Sequence, residues 1–266
     1  MSAAILYKII TASVILMLVN CPSTHSFMEG RIVGGETAKM KHYPHSVYLD
    51  AACDGGEWHC GASILNQKIL LTAAHCVMGC DEDWAISAFA GNEVIDEMKL
   101  YRKISRYIIH PKYETTSFTH DIALLLMSKH LPFGTTIKRV IIKNRFPKDK
   151  DLTIAGWGTI KESPETVRAT RLKAVKQKLL SKKDCRKVCQ NAIIEGVIDG
   201  MLCAKYNMEN RPSHGDSGSA LMTSDGTQVG LVSFRTEKTP DIIVYTNVTY
   251  YYQWIRSNAK RLYCNG

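Results

Sequence analysis

Apolar runs alternate along the chain with short segments rich in glycine, asparagine, aspartate and proline. Apolar or β-branched runs bounded by such turn formers are typical of β-strands. This pattern predicts strands over 64–72, 121–127, 151–155, 227–234 and 242–248. Two other segments have helical spacing, and they cover 179–191 and 250–262. We therefore predict an all-β protein with one late helix and one C-terminal helix, although the pattern does not choose between a sandwich and a barrel.

The first 26 residues differ from the rest of the chain. Lys8 precedes an apolar run over 9–19, and small residues follow at Thr24 and Ser26. This order of charge, apolar core and small-residue exit indicates a signal peptide over 1–26. The run is shorter than the roughly 20 apolar residues of a membrane-spanning helix. We expect a secreted, extracellular protein with no membrane span.

Composition and charge narrow the class of protein. The chain has 266 residues, 45% hydrophobic and 22% charged, which suits one large folded unit or two lobes rather than disorder. Basic residues cluster over 138–150 and 171–187, and the formal net charge is +9. A basic face can attract anionic surfaces or simply favour solubility. The export signal argues against a nucleic-acid partner.

The cysteines indicate an oxidising compartment. There are nine, and removal of the signal peptide takes Cys21 and leaves an even number. An even count in a secreted chain predicts disulfides. No group of cysteines and histidines has the spacing of a structural zinc site, so we expect neither a metal nor a cofactor.

Three short segments carry the groups needed for acyl transfer. His75 lies in TAAHC at the end of an apolar strand, and Asp121 precedes the apolar sequence IALL. Ser217 lies in the glycine-flanked sequence GDSGS. Each segment alone is compatible with a structural role. Their occurrence together in an exported chain indicates a catalytic set.

The chemistry explains why these residue types belong together. A serine hydroxyl becomes a good nucleophile when a base removes its proton, and histidine serves as that base near neutral pH. An acid on the other imidazole nitrogen holds the correct tautomer. Glycines let backbone N–H groups approach the developing oxyanion.

These segments, with IVGG at 32–35 and GWG at 156–158, resemble the trypsin/chymotrypsin family of serine proteases. The resemblance extends from Ile32 to the terminal helix. It implies two six-stranded antiparallel β-barrels, within 32–140 and 141–266, with the active site in the cleft between them.

The resemblance also assigns roles to individual residues. It implies that His75 is the general base, Asp121 its orienting acid and Ser217 the nucleophile. It further implies that the N–H groups of Gly215 and Ser217 form the oxyanion hole. Ser233 matches the serine that supports the acid and begins the strand that binds the substrate backbone.

Control by cleavage follows from the same resemblance. A cut after Arg31 would leave 27–31 as a short propeptide and free the amine of Ile32. In the family the new ammonium inserts and pairs with the acid before the nucleophile, here Asp216. Breaking one side of a buried pair costs about 3–5 kcal/mol, which is enough to switch an active site. The protein is therefore expected to be a zymogen.

Disulfide pairing is implied by the resemblance for two pairs. Cys60 and Cys76 match the bridge beside the catalytic histidine, and Cys185 and Cys203 match the bridge after the late helix. Cys53 and Cys80 flank the first pair and could join adjacent loops. The remaining residues are assigned to each other by elimination, as Cys189–Cys264.

The specificity pocket departs from the family pattern. Ser213 stands where the family has a cysteine, and the partner cysteine expected over 234–244 is missing too. The base of the pocket falls on Arg211, where a trypsin-like enzyme has an aspartate. The wall positions, usually glycines, fall on Arg235 and Ile243.

Two hypotheses address the charge of Arg211, because a buried guanidinium needs solvent or a carboxylate. Arg211 meets an acidic substrate side chain before the scissile bond, or Glu237 or Asp241 occupies that place and leaves room for small side chains. Both hypotheses exclude cleavage after lysine or arginine. We therefore expect a separate trypsin-like protease to cut after Arg31.

The sequence thus predicts a secreted serine endopeptidase that acts on protein or peptide substrates through an acyl-enzyme. Protein inhibitors and a monomeric state are also expected. The alternative is a catalytically weak homologue that acts as a binding or regulatory protein. A sequon at Asn247 predicts an N-glycan unless that side chain is buried.

Overall fold

The computed structural model describes residues 36–53, 56–80, 85–148, 150–161, 167–191, 198–207 and 214–264, and the backbone of 32–33 and 211–212. The signal peptide and propeptide predicted over 1–26 and 27–31, including Arg31, lie outside these residues, as does Ser213. No helix within the described part of the chain is long and apolar enough to cross a membrane.

The amino-terminal half forms a closed antiparallel barrel. Its strands, with two short ones before them, are β1 (Ile32–Val33), β2 (Glu36–Thr37), β3 (Ser46–Cys53), β4 (Gly56–Ile64), β5 (Ile69–Thr72), β6 (Ile86–Ala90), β7 (Tyr101–Ile109) and β8 (Ala123–Met127). The barrel closes in the order β3-β4-β5-β8-β7-β6. In β6, alternate residues face the core, as the two-residue period of a strand requires.

The carboxy-terminal half forms a second barrel. Its elements are β9 (Ile141–Ile142), β10 (Asp151–Gly156), β11 (Thr159–Lys161), β12 (Val167–Arg168), β13 (Lys173–Leu179), α1 (Lys182–Asn191), β14 (Met201–Lys205), β15 (Arg211–Pro212), β16 (Ala220–Thr223), β17 (Thr227–Arg235), β18 (Ile242–Asn247) and α2 (Tyr252–Cys264). The order β10-β16-β17-β18-β14-β13 closes because β10 also pairs with β13. The prediction of two six-stranded antiparallel barrels with a C-terminal helix is confirmed.

One predicted strand is wrong. The apolar run over 64–72 contains the end of β4, a turn, and all of β5. The turn forms because Asn66 Oδ1 accepts hydrogen bonds from the N–H groups of Lys68 and Ile69, both at 2.8 Å. A side chain that bonds to the backbone two residues ahead competes with strand pairing, so the chain reverses there.

Both predicted helices exist, but each begins two or three residues later than predicted. Leu179 belongs to β13, and α1 begins at Lys182, after Ser181. Ser181 Oγ accepts a hydrogen bond from the N–H of Asp184 at 3.1 Å and donates one to its carboxylate at 2.6 Å. This N-terminal cap satisfies a helix N–H that has no partner within the helix, so it fixes the start of α1.

Three disulfides join six of the eight described cysteines, and they are Cys53–Cys80, Cys60–Cys76 and Cys185–Cys203. The predicted pair Cys189–Cys264 is not formed. Cys189 is buried in α1, next to the bridge of Cys185 and near Met201, whereas Cys264 is exposed at the end of α2. Pairing by elimination fails because it assumes that every cysteine is bonded.

The sequon at Asn247 is buried, so the prediction of a glycan is not supported. Asn247 is 8% exposed, and its Nδ2 donates a hydrogen bond to the carbonyl of Asp199 at 3.2 Å. Its Oδ1 accepts hydrogen bonds from Thr249 and Tyr250. An N-glycan is attached to Nδ2, and the folded structure uses that atom to connect β18 to the segment before β14.

We expect the stability of the fold to fall between pH 6.5 and about 4 because His45, just before β3, is buried. Burial lowers the pKa of His45 from 6.5 to about 4. The folded state therefore favours neutral imidazole, so stability is fully present above pH 6.5 and decreases as the pH falls towards 4. The pKa difference corresponds to about 3 kcal/mol.

Urea unfolding at several pH values tests this expectation. His45→Gln should flatten the dependence between pH 4 and 6.5 by up to that amount. The exposed neighbour His42 provides a matched control, and His42→Gln should leave the dependence unchanged. An unchanged slope in His45→Gln would contradict the assignment.

Candidate active site

Asp121 lies between the two barrels and is fully buried. Its Oδ1 accepts a hydrogen bond from the backbone N–H of His75 at 3.0 Å. Its Oδ2 lies 2.8 Å from His75 Nδ1 and accepts a hydrogen bond from Ser233 Oγ at 2.5 Å. Thr246 Oγ1 donates to its backbone carbonyl at 2.6 Å. Residues from β17 and β18 thus fix an acid that belongs to the first barrel.

This arrangement determines which nitrogen of His75 can act as a base. A carboxylate accepts hydrogen bonds and donates none, so Nδ1 of His75 must carry the proton in the pair with Asp121. In a neutral imidazole the other nitrogen, Nε2, is then unprotonated and is a hydrogen-bond acceptor. That tautomer is the one that can remove a proton from a hydroxyl.

A disulfide and a backbone hydrogen bond link the turns that hold His75 and Ser217. His75 lies in a short 3-10 turn after β5, and Cys76 in that turn is bonded to Cys60 in β4. The next residue of β4, Gly61, donates its N–H to the carbonyl of Ser217 at 2.7 Å. The bridge therefore connects the histidine turn to the strand that holds the serine turn.

The serine turn is also attached to β17. The N–H of Gly218 donates to the carbonyl of Val232 at 2.8 Å, and the N–H of Val232 donates to the carbonyl of Ser219 at 3.0 Å. The residue after Val232 is Ser233, which contacts Asp121. The structure therefore brings together all three predicted residues of the catalytic set.

Two glycines give the serine turn its shape. Gly215 and Gly218 have φ values of 93° and 78°, which residues other than glycine rarely adopt. A Cβ on Gly218 would also overlap Thr72 Oγ1 and the carbonyl oxygen of Gly61. Among the described residues, the N–H groups of Gly215 and Ser217 have no acceptor, so both are available to a substrate oxygen.

The hydroxyl of Ser217 is buried, and it makes no hydrogen bond to a described residue. Catalytic hydrogen bonds are often long without substrate and shorten when it binds. The hydroxyl of Ser217 is therefore not fixed by a hydrogen bond to another described group.

Asp216 lies behind the nucleophile and is completely buried. Its Oδ1 accepts a hydrogen bond from the N–H of Gly158 at 2.9 Å. Burial raises the pKa of its carboxyl well above the ordinary value, and the hydrogen bond from Gly158 offsets part of the rise. The backbone of Ile32 pairs with that of Pro212, four residues before Asp216.

The predicted pocket positions are only partly described. Arg235 and Ile243 are buried partners on neighbouring strands, β17 and β18. Arg211 lies in β15, and its side chain is outside the described residues. Asp241 forms an ion pair with Lys205 at 2.9 Å, and Glu237 is exposed. Asp241 therefore has a surface partner, which disfavours it as the internal partner of Arg211.

Phe118 contributes to the site without having been predicted. Its ring packs edge-on against His75, with 5.5 Å between ring centroids, and it also contacts Phe234 at 5.4 Å. The φ of Phe118 is 53°, and that of His120 is 56°. Such left-handed backbone at residues other than glycine is uncommon, and a local sequence pattern gives no signal for it.

A sequence profile of the Trypsin family matches residues 32–255. Hypodermin-B of Hypoderma lineatum is 33% identical over 88% of this chain and 89% of its own length. Human kallikrein-7 is 30% identical over 87% of this chain and 88% of its own length.

Two solved structures share the fold. The scabies mite inactivated protease paralogue S-D1 has a TM-score of 0.75 at 21% identity, and covers 86% of this chain and 97% of its own. HL collagenase has a TM-score of 0.75 at 23% identity, and covers 86% of this chain and 99% of its own. At these identities the two structures establish only the architecture. The profile match covers most of the chain, and on that ground the protein belongs to the trypsin family of serine proteases.

Proposed function

We propose that the protein is a secreted serine endopeptidase, made as a zymogen and activated by cleavage after Arg31. The observation that carries this proposal is the Asp121 carboxylate, which is bonded to both the backbone and the ring of His75 and to Ser233. A structural aspartate does not require an imidazole held in the tautomer of a general base. The turn that holds Ser217 is bonded to β4 and β17 and supplies the hydroxyl of the nucleophile.

The geometry supports acyl transfer in two steps. Ser217 Oγ attacks the carbonyl carbon of the substrate while His75 Nε2 takes the hydroxyl proton. The carboxylate of Asp121 stabilises the resulting imidazolium. The N–H groups of Gly215 and Ser217 donate to the oxygen that gains negative charge, and loss of one such donor typically costs about 10²–10³-fold in rate.

The second half of the reaction reverses the proton transfers. His75 gives its proton to the leaving nitrogen, the C–N bond breaks, and Ser217 remains esterified. Water then attacks the ester while His75 takes its proton, and the serine regains a proton as the acid product leaves. The protein supplies the acid, the base and the oxyanion donors, so this mechanism needs no metal or cofactor.

In the proposed activation, a positive charge is brought to the carboxylate of Asp216. A cut after Arg31 creates an ammonium at Ile32, whose backbone lies beside the segment leading to Asp216. A buried carboxyl with a raised pKa gains from a nearby positive charge, since opposite charge favours the ionised form. The predicted signal peptide over 1–26 and propeptide over 27–31 complete this proposal.

The proposed specificity is for a small or acidic residue before the scissile bond. Arg211, Arg235 and Ile243 stand at the base and walls of the pocket, and Ser233 lies in β17, along which substrate backbone would bind. None of these residues offers a carboxylate to a basic side chain. A separate trypsin-like protease would therefore perform the cut after Arg31.

Covalent labelling tests the proposed function. The purified protein is cut after Arg31 by a trypsin-like protease and treated with a fluorophosphonate probe. We expect labelling at Ser217, mapped by mass spectrometry, because the probe reacts with a serine activated by its histidine. Uncut protein and cut Ser217→Ala should remain unlabelled.

Absence of labelling in the cut protein would contradict the endopeptidase proposal. It would favour the alternative of a binding or regulatory homologue, since the same fold occurs in a protein described as an inactivated protease paralogue. Spontaneous conversion of pure zymogen would contradict the need for a separate activator.

A further inference from the structure

Arg235 is a buried cation that the mechanism does not use. Its side chain is 2% exposed, and it is the largest of the fully buried side chains among the described residues. Its Nη1 is buried and has no hydrogen-bond partner within the described part of the chain. Buried arginines are normally paired, because an uncompensated buried charge is costly.

Two of the described carboxylates near this strand have other partners. Asp121 binds His75 and Ser233, and Asp241 forms its ion pair with Lys205. Glu237, two residues beyond Arg235, is exposed. No ion pair joins Arg235 to an acid among the residues that the structure describes.

Strand pairing shows to which face of the sheet the Arg235 side chain points. Arg235 lies opposite Ile243 of β18, and directly paired residues on adjacent strands point to the same face of a sheet. Ile243 packs with Val232 and Tyr245 inside the second barrel. Phe234 packs with Phe118 in a different cluster. Arg235 therefore extends towards the barrel interior rather than towards Phe118.

The same strand passes directly beside the nucleophile. Val232 exchanges backbone hydrogen bonds with Gly218 and Ser219, the two residues that follow Ser217. Arg235 lies three residues further along, which corresponds to about 10 Å of strand. Arg235 is therefore carried by the strand that borders the serine turn, on the face that points into the second barrel.

We infer that Arg235 binds the carboxylate of an acidic substrate residue at the position before the scissile bond. The inference deepens the proposed endopeptidase function and assigns the recognition of charge to Arg235 rather than to Arg211. A guanidinium suits this task because its fork of N–H donors matches a carboxylate with two parallel hydrogen bonds. A substrate carboxylate also supplies the partner that Nη1 lacks.

Matched peptide substrates test the inference on the protein cut after Arg31. Two peptides differ only in glutamate or glutamine before the scissile bond, so they differ in charge and hardly in shape. We expect kcat/KM for the glutamate peptide to be on the order of 10–100-fold higher, since hydrogen bonds to charged groups have about this strength. Arg235→Met should abolish the preference, and Arg235→Lys should retain part of it.

The matched control is Arg211→Met, which should keep the preference for glutamate. Loss of the preference in Arg211→Met with its survival in Arg235→Met would overturn the inference. Equal rates for the two peptides in the wild-type protein would do the same. In either case, labelling of Ser217 by the fluorophosphonate would leave the endopeptidase proposal standing.

Two further measurements do not depend on turnover. If the cut protein is not labelled, fluorescence anisotropy of the same two peptides on it still measures the preference for glutamate and its loss in Arg235→Met. The melting temperature of Arg235→Met should not fall, since no described carboxylate loses its partner. A clear fall would show that an acid of the chain itself holds Arg235, and it would contradict the inference.

Discussion

Replacing Ser217 by alanine should lower kcat of the protein cut after Arg31 by on the order of 10⁶-fold, and His75→Ala should have a similar effect. The two side chains perform one proton transfer, so the double variant should be little worse than either single variant. The residual activity reflects the N–H groups of Gly215 and Ser217, which alanine at position 217 leaves in place. The rates are measured on a peptide ester or amide after complete cleavage at Arg31.

Ser219 provides the control for this experiment. It lies two residues after Ser217, is 3% exposed, and contributes only its backbone to the contacts with Asp216 and Val232. Ser219→Ala should therefore stay within a few-fold of wild type. Additive losses in the double variant of His75 and Ser217 would show that these residues do not act on one proton.

The candidate catalytic set could be predicted because each member lies in a short local pattern. His75 ends one apolar strand, Asp121 precedes another, and Ser217 has glycines nearby on both sides. The contacts that support them were harder to predict. The bond from Gly61 to the carbonyl of Ser217 and that from Thr246 to Asp121 join residues more than a hundred positions apart, and no local pattern encodes such contacts.

The strands were predicted where burial is continuous and missed where it is mixed. β8 and β17 are buried throughout and read as apolar runs. β3 and β4 include Asp50, Glu57 and His59 among their apolar residues, and they are recognisable only through their pairing with each other. The error over 64–72 has the opposite origin, because a tight turn was hidden between two apolar strands.

The unusual backbone near Asp121 shows a further limit. Phe118 and His120 adopt positive φ because tertiary contacts hold them there, and a bulky residue such as Phe118 gives no sequence signal of that conformation. His120 Nδ1 lies 2.9 Å from Tyr251 Oη, and Phe118 packs between His75 and Phe234. These contacts hold the segment that presents the acid, so packing rather than local sequence determines its geometry.

Asp216→Asn should leave the uncut protein folded. Cleavage after Arg31 should still occur in this variant, but it should no longer convert the protein to the active form. Breaking one side of a buried pair costs about 3–5 kcal/mol, which corresponds to roughly 10²–10³-fold or more in the population of the active form. We expect the rate of fluorophosphonate labelling after the cut to fall by that factor. The amide keeps an oxygen for the N–H of Gly158, so the local hydrogen bond can persist.

Stability of the uncut form separates loss of the switch from loss of the fold. Burial raises the pKa of Asp216, so its charged form opposes folding, and this contribution worsens as the pH rises through the folded pKa. The neutral asparagine removes that cost, and uncut Asp216→Asn should melt no lower than wild type at pH 7. Asp225→Asn is the matched control, since Asp225 is exposed and paired with Lys143. Full labelling of cut Asp216→Asn would exclude the pair with Ile32, whereas a lower melting temperature of the uncut variant would show that Asp216 supports the zymogen fold.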